Sequence, residues 1–189
     1  MDIDRQTAPQ DQIVTVPSLL NPPPGIPVPN HPQPFQCEIL NAGTKDATAS
    51  ITVASLANVS NLTALYRHAS LDELWLTISP THLAPAFPTQ VRVCWVSANS
   101  PITDLQITNT YGGQVFCVGG SLNSHSPLEV KCPLHMMNRR VKDSVQYLDS
   151  PKLVLSVTAQ PTPPTASTCI ITVSGILSMH SPLITDTST

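Results

Sequence analysis

Tyr66-Arg67-His68-Ala69-Ser70-Leu71-Asp72-Glu73-Leu74-Trp75-Leu76-Thr77-Ile78-Ser79-Pro80 is the stretch that decides the class of this chain. From Leu74 onward, Leu74, Leu76 and Ile78 alternate with Trp75, Thr77 and Ser79. A period of two belongs to a strand with one covered face. Pro80 has no amide hydrogen for a ladder and closes the run. Just upstream, Asn61-Leu62-Thr63-Ala64-Leu65-Tyr66 places Leu62, Leu65 and Tyr66 at helical spacing. The stretch therefore reads as the end of a short helix feeding a strand, with Arg67-His68 at the junction.

The same alternation recurs on both sides. Phe35–Leu40 and Ser50–Ala54 precede the stretch, separated by a turn at Gly43-Thr44-Lys45-Asp46. Gln90–Val96 follows, with Val91, Val93 and Trp95 on one face. Gln114–Val118 lies between the glycine pairs 112–113 and 119–120, which are strand-end turns. Leu128–Cys132, Lys152–Thr158 and Thr168–Met179 complete eight strands. A helical turn is expected over Asp104–Ile107, and the segment 133–150 reads as irregular. Loops at 80–88 and 161–164 are rich in proline. No internal repeat and no βαβ rhythm is present, so the expectation is an all-β sandwich or barrel with short helical inserts. An eight-stranded jelly roll fits this count.

Residues 1–34 differ from the rest. They hold nine of the twenty prolines, and their side-chain charges are Arg5 against Asp2, Asp4 and Asp11. Such a segment cannot enter a helix or a central sheet and tends to polyproline II. It reads as an N-terminal Pro-rich arm that takes its conformation from its neighbours, ahead of a shell-like domain at 35–189. Gln12–Val16 is its one piece able to add as an edge strand.

Only 11% of the 189 residues are charged, and 41% are hydrophobic. A soluble monomer carries a more charged surface than this, so much of the exterior is expected to be covered by other subunits. A net charge of −3 is at odds with a nucleic-acid binder that works by a Lys/Arg stripe. The start Met1-Asp2-Ile3-Asp4 is acidic where a signal peptide is basic, and no apolar run is long enough to span a bilayer. The five cysteines contain no C-x-x-C; Cys37, Cys94, Cys117 and Cys169 fall in strand-like runs and read as buried thiols.

No nucleophile-elbow, zincin or P-loop motif occurs, so no catalytic residue is expected. Cys132-Pro133-Leu134-His135 is half of a zinc spacing without a second half, and no metal site is expected. The histidines are His31, His68, His82, His125, His135 and His180, and none pairs at i, i+2 or i, i+4. The sequons at Asn58 and Asn61 would matter only in a secreted protein. Arg139-Arg140-x-Lys142 is the one basic cluster: a solvated or subunit-contacting loop, or a phosphate contact. Asp72-Glu73 reads as a solvated turn or an intersubunit ion pair. On residues alone, two functions remain open. One is a self-assembling shell protein; the alternative is a lectin-like β-sandwich binding module, though aromatics are only 4%.

Several runs resemble the coat proteins of tymoviruses. They are Phe35-Gln36 after the arm, Ala42–Ala47, Tyr66–Leu71, Ala98–Pro101, Thr110–Gln114, Val141–Ser144, Gln146–Leu153 and Ser167–Thr189. The resemblance covers essentially the whole chain. It implies a viral jelly roll of two four-stranded sheets, and a T=3 icosahedral capsid with pentamers and hexamers in a 180-subunit shell. It further implies a positive-strand viral genomic RNA inside, the virion as location and the host cell cytoplasm as place of synthesis, with no membrane required and no enzyme activity. The arm would be ordered in some environments and loose in others.

The acidic arm sharpens this expectation. Phosphate neutralisation must come largely from elsewhere, with polyamines or metal ions packed beside the genome. Where fixed cations are few, histidine becomes the adjustable charge, with a reference pKa of about 6.5. His68, beside Arg67, and His180 are the leading RNA-facing candidates, and the resemblance favours both. His135, Arg139, Arg140 and Lys142 are weaker ones.

Overall fold

A computed structural model describes residues 30–121, 126–143 and 149–183. The expectations for the arm up to residue 29, including the Gln12–Val16 strand, lie outside the described residues, as do His125 and the tail from 184. Among the described residues nine strands follow one another: β1 (His31–Ala42), β2 (Ala47–Thr52), β3 (Tyr66–Pro80), β4 (Thr89–Ser97), β5 (Gln114–Val118), β6 (Leu128–Lys131), β7 (Arg140–Lys142), β8 (Pro151–Thr158) and β9 (Cys169–Pro182). Helix α1 (Ala57–Thr63) lies between β2 and β3, and a 3₁₀ segment, Asp104–Asn109, between β4 and β5.

The pairing is nested. β1 pairs with β9, β2 with β8, β3 with β6 and β4 with β5, all antiparallel. Cross-links β3–β9 and β4–β8 then assemble two sheets, ordered β1-β9-β3-β6 and β2-β8-β4-β5. This is a ribbon doubled on itself and rolled into a sandwich, the topology of a jelly roll. The short β7 adds to β3 as an extra strand inside the segment expected to be irregular.

The inward rows of the two sheets form one core. Leu71, Leu76, Ile78, Ile171 and Leu177 come from the first sheet, and Val91, Val93, Leu153 and Leu155 from the second; each is fully buried. Each such side chain contributes about 1.5–3 kcal/mol of apolar burial. Trp95 on β4 lies in this core and donates its indole N–H across the sandwich to Val130 O on β6 at 3.3 Å.

The opening stretch is strand along its whole length, not a helix feeding a strand. Ala69 and Leu71 point inward, then Leu74, Leu76 and Ile78 do. A bulge between Leu71 and Glu73 inserts one residue, Asp72, and breaks the alternation. That extra residue is what a reading by strict period two takes for the end of a helix. Gly175 on β9 matches it: a Cβ there would lie 2.4 Å from Glu73 O and against the Phe35 ring. The helix itself is shifted four residues upstream of Asn61–Tyr66. It buries Val59 and Thr63, one turn apart, whereas Leu65 is exposed. Among the cysteines, Cys37, Cys94, Cys132 and Cys169 are buried thiols, but Cys117 is exposed because it points off the outer face of the edge strand β5.

Candidate nucleic-acid interface

At one end of the first sheet, where β3 begins and β9 ends, four of the seven candidate residues meet. His68, Arg140, Lys142 and His180 line a cleft of about 290 Å³ together with Ala69, Ser70 and Asp143. The ladder builds it. His68 and His180 are register partners on β3 and β9, so both side chains leave the same face of the sheet. β7 brings Arg140 opposite Ser70 and Lys142 opposite Ala69.

Asp143 organises the cleft and was not among the expected residues. It is almost fully buried, its Oδ1 lies 3.1 Å from His68 Nδ1, and its other oxygen accepts from Arg140. The i, i+3 spacing of Arg140 and Asp143 was visible in the sequence, but the bulge and strand pairing that bring them to His68 were not. The two imidazole rings stack with centroids 4.8 Å apart. His180 Nδ1 also lies 3.3 Å from Ser181 Oγ. Burial, then the neighbouring His68 and Arg140 charges, hold the His180 pKa below the ordinary histidine value, with Asp143 pulling the other way.

The basic cluster divides. Lys142 Nζ donates to Thr63 O at 2.5 Å and Ala64 O at 3.3 Å, so its ammonium closes the C-terminus of α1. Arg139 Nε donates to Leu134 O at 3.2 Å. Arg139 and His135 line a separate cleft with Asp72, Glu73, Trp75 and Lys131. Arg67 is exposed on β3, one residue from His68 and therefore on the opposite side of the strand.

Asp72 is the exposed bulge residue of β3. It accepts from Ser178 Oγ, which in turn accepts from Asn30 Nδ2 at 3.0 Å. The bulge carboxylate thus holds the point where the arm joins β1. Among the described residues no group of three His, Cys, Asp or Glu is placed to hold a metal. Cys132 Sγ is turned to Met137 Sδ at 3.8 Å, and burial pushes its pKa up to about 12, the opposite of what a thiolate ligand needs.

Comparison with known proteins places this geometry in context. A family model described as tymovirus coat protein matches residues 17–189. The capsid protein of turnip yellow mosaic virus (isolate Australia) is 68% identical over 189 residues, the full length of both chains. The empty-head structure of turnip yellow mosaic virus superposes with a TM-score of 0.84 at 66% identity, covering 100% of each chain. A second solved structure, of turnip yellow mosaic virus, gives a TM-score of 0.81 at 68% identity and covers 86% of this chain and 100% of that one.

Proposed function

The chain belongs to the tymovirus coat protein family, and on that premise we propose that it is a structural coat protein whose copies form a T=3 icosahedral shell around a positive-strand RNA. The observation that carries this is the full-length match to a capsid protein, laid over a nested jelly roll with both sheets complete. Its work is mechanical, not catalytic. It is synthesised in the host cell cytoplasm and resides in the virion. Its partners are other copies of itself, in pentamers and hexamers, and the packaged RNA.

RNA contact is assigned to the cleft at His68, His180 and Arg140, with the exposed Arg67 nearby. The support is a local excess of groups that are or can become cationic, in a chain of net charge −3. Much of the phosphate charge is then balanced by polyamines or metal ions carried with the genome, and shell cohesion rests on protein contacts. A density-gradient run on the expressed chain tests the reading. Megadalton particles are expected, with RNA-free shells that persist at moderate salt. A small oligomer as the sole species points to the lectin-like module instead, and shells that fall apart whenever RNA is removed contradict the account of cohesion.

A further inference from the structure

The outer face of the first sheet carries another cleft, away from His68 and His180. Strand register aligns Gln36, Ser174 and Trp75 across β1, β9 and β3, and Thr172 with Thr77 in the next outward row. Between these rows Cys37, Val173 and Leu76 turn inward and are buried, so the aligned side chains leave the opposite face. Together with Pro34 they line a cleft of about 590 Å³ that has no charged residue in its wall. Trp75 is its half-buried aromatic side. Trp95 spends its indole N–H inside the core. For the Trp75 indole N–H and the Ser174, Thr77 and Thr172 hydroxyls, no hydrogen bond is found among the described residues. None of them is a buried orphan, so these donors reach the open cleft.

An aromatic wall beside a row of donors suits one kind of ligand. A polyproline II segment makes no internal hydrogen bonds and leaves its carbonyls to accept from outside. Aromatic-lined grooves bind such segments at the P-x-x-P spacing. Pro24-Gly25-Ile26-Pro27 has that spacing, inside an uncharged run from Pro22 to Pro29. The arm also joins the sheet on the face that holds the cleft. Asn30 Nδ2 donates to Ser178 Oγ at 3.0 Å, and Ser178 shares the outward parity of Ser174. Four residues of strand separate Ser178 from Ser174, a span of about 13 Å. At about 3.1 Å per polyproline II residue, the stretch from Pro27 back to Pro24 can cover that distance. Phosphate is a poorer fit, because the register sets Glu38 beside Thr172 and Glu129 beside Thr77, with Lys131 the one cation in those rows.

We propose that this cleft is a docking groove for the Pro24–Pro27 segment of the same subunit's arm. Its proline rings lie on Trp75 and Pro34. Its carbonyls accept from the Trp75 indole and from the hydroxyls of Ser174 and Thr77. The chain reverses at Asn30 to reach the groove, a residue type that turns readily. The inference goes beyond the coat function and needs neither a shell nor RNA.

The test uses the full chain as dilute subunits, with p-benzoylphenylalanine in place of Ile26. On irradiation, crosslinks should fall on peptides that contain residues 34–36, 75–79 or 172–175. The product should run as a single chain in denaturing electrophoresis. Trp75 gives a second readout without a reactive group. Its acrylamide quenching is isolated by subtracting the Trp95 signal of a Trp75→Phe control. The double variant Pro24→Ser/Pro27→Ser should raise that quenching at least twofold while keeping the wild-type β-sheet circular dichroism. Crosslinks that are absent, fall elsewhere or join two chains overturn the inference. So does quenching that is the same in wild type and the proline variant. Mixed-sequence RNA that slows Trp75 quenching equally in both would also overturn it, because the groove would then belong to nucleic acid.

Discussion

His68 and His180 are register partners on adjacent strands, and their rings stack at 4.8 Å with an angle of 24°. The ladder sets both rings on the same face of the sheet. At that distance a charge on His68 disfavours charge on His180.

The first expected consequence is an acid limb in stability. The His180 pKa is lowered, first by burial and then by His68 and Arg140. For a base lowered on folding, stability is fully present above the unfolded value, about 6.5, and is lost as pH falls through the folded value. RNA-free particles should melt at progressively lower temperature from pH 6.5 toward pH 5. His180→Gln should flatten that slope. If RNA phosphates enter the cleft they offset the positive charge, and RNA-filled particles should then show a shallower decline. Parallel melting curves for wild type and His180→Gln across this range would contradict the assignment.

Lys142 is expected to act on the fold and not on RNA. Its ammonium holds two carbonyls at the end of α1. Lys142→Met should lower stability by about 1 kcal/mol, the typical net value of a hydrogen bond. The salt dependence of RNA release should stay as in the wild type. Denaturant unfolding of the particles' subunits and RNA retention against salt measure the two effects separately.

Thr168 joins the other end of the sandwich. Its hydroxyl is buried, lies 2.6 Å from Thr89 Oγ1 and donates to Ala42 O at 3.2 Å; its carbonyl accepts from Thr81 N. The ends of β1, β3, β4 and β9 thus meet on one residue. Gly43 is fitted to it, with φ +104° and room that a Cβ would fill at 1.8 Å from Thr168 Oγ1. Thr168→Val removes both hydroxyl hydrogen bonds, but Ala42 O keeps the Thr168 N–H and Thr89 Oγ1 keeps Phe87 O, so it should cost about 1 kcal/mol. Gly43→Ala should cost more, because it adds backbone strain to the clash. Thermal melts of the two variants rank them.

Legibility in the sequence followed the regularity of each element. β5 could be read to the residue because Gly112-Gly113 and Gly119-Gly120 bracket it, and β4 to within one residue because its alternation is unbroken. β3 was read only from Leu74, since one extra residue at Asp72 shifts the inward row from odd to even positions. The 3-residue β7 carries too few residues to show any period. In the cleft, His68 and His180 stood out by their chemistry in a charge-poor chain. Asp143 did not, because its role depends on β7 pairing with β3, a long-range contact that local pattern cannot reveal. The same limit applied to Lys142, which looked like one of three loop cations and is fixed to a helix end.

Arg67 provides the sharpest separation of RNA contact from structure. It is exposed on β3, and no hydrogen bond or ion pair of its side chain is found among the described residues. Its loss should therefore leave the subunit's stability within about 0.5 kcal/mol of wild type, as for most surface substitutions. If it meets phosphate, Arg67→Ala should weaken RNA retention uniformly across RNA sequences and reduce the slope of log affinity against log salt by about 1. Arg140→Ala should behave differently. It removes a partner of Asp143 as well as a cation, so it should shift both the melting temperature and the pH profile set by His180. RNA retention by particles of the two variants, titrated with salt at pH 6 and pH 8, distinguishes the cases. An unchanged salt slope in Arg67→Ala would remove that residue from the RNA contact and leave the cleft alone to carry it.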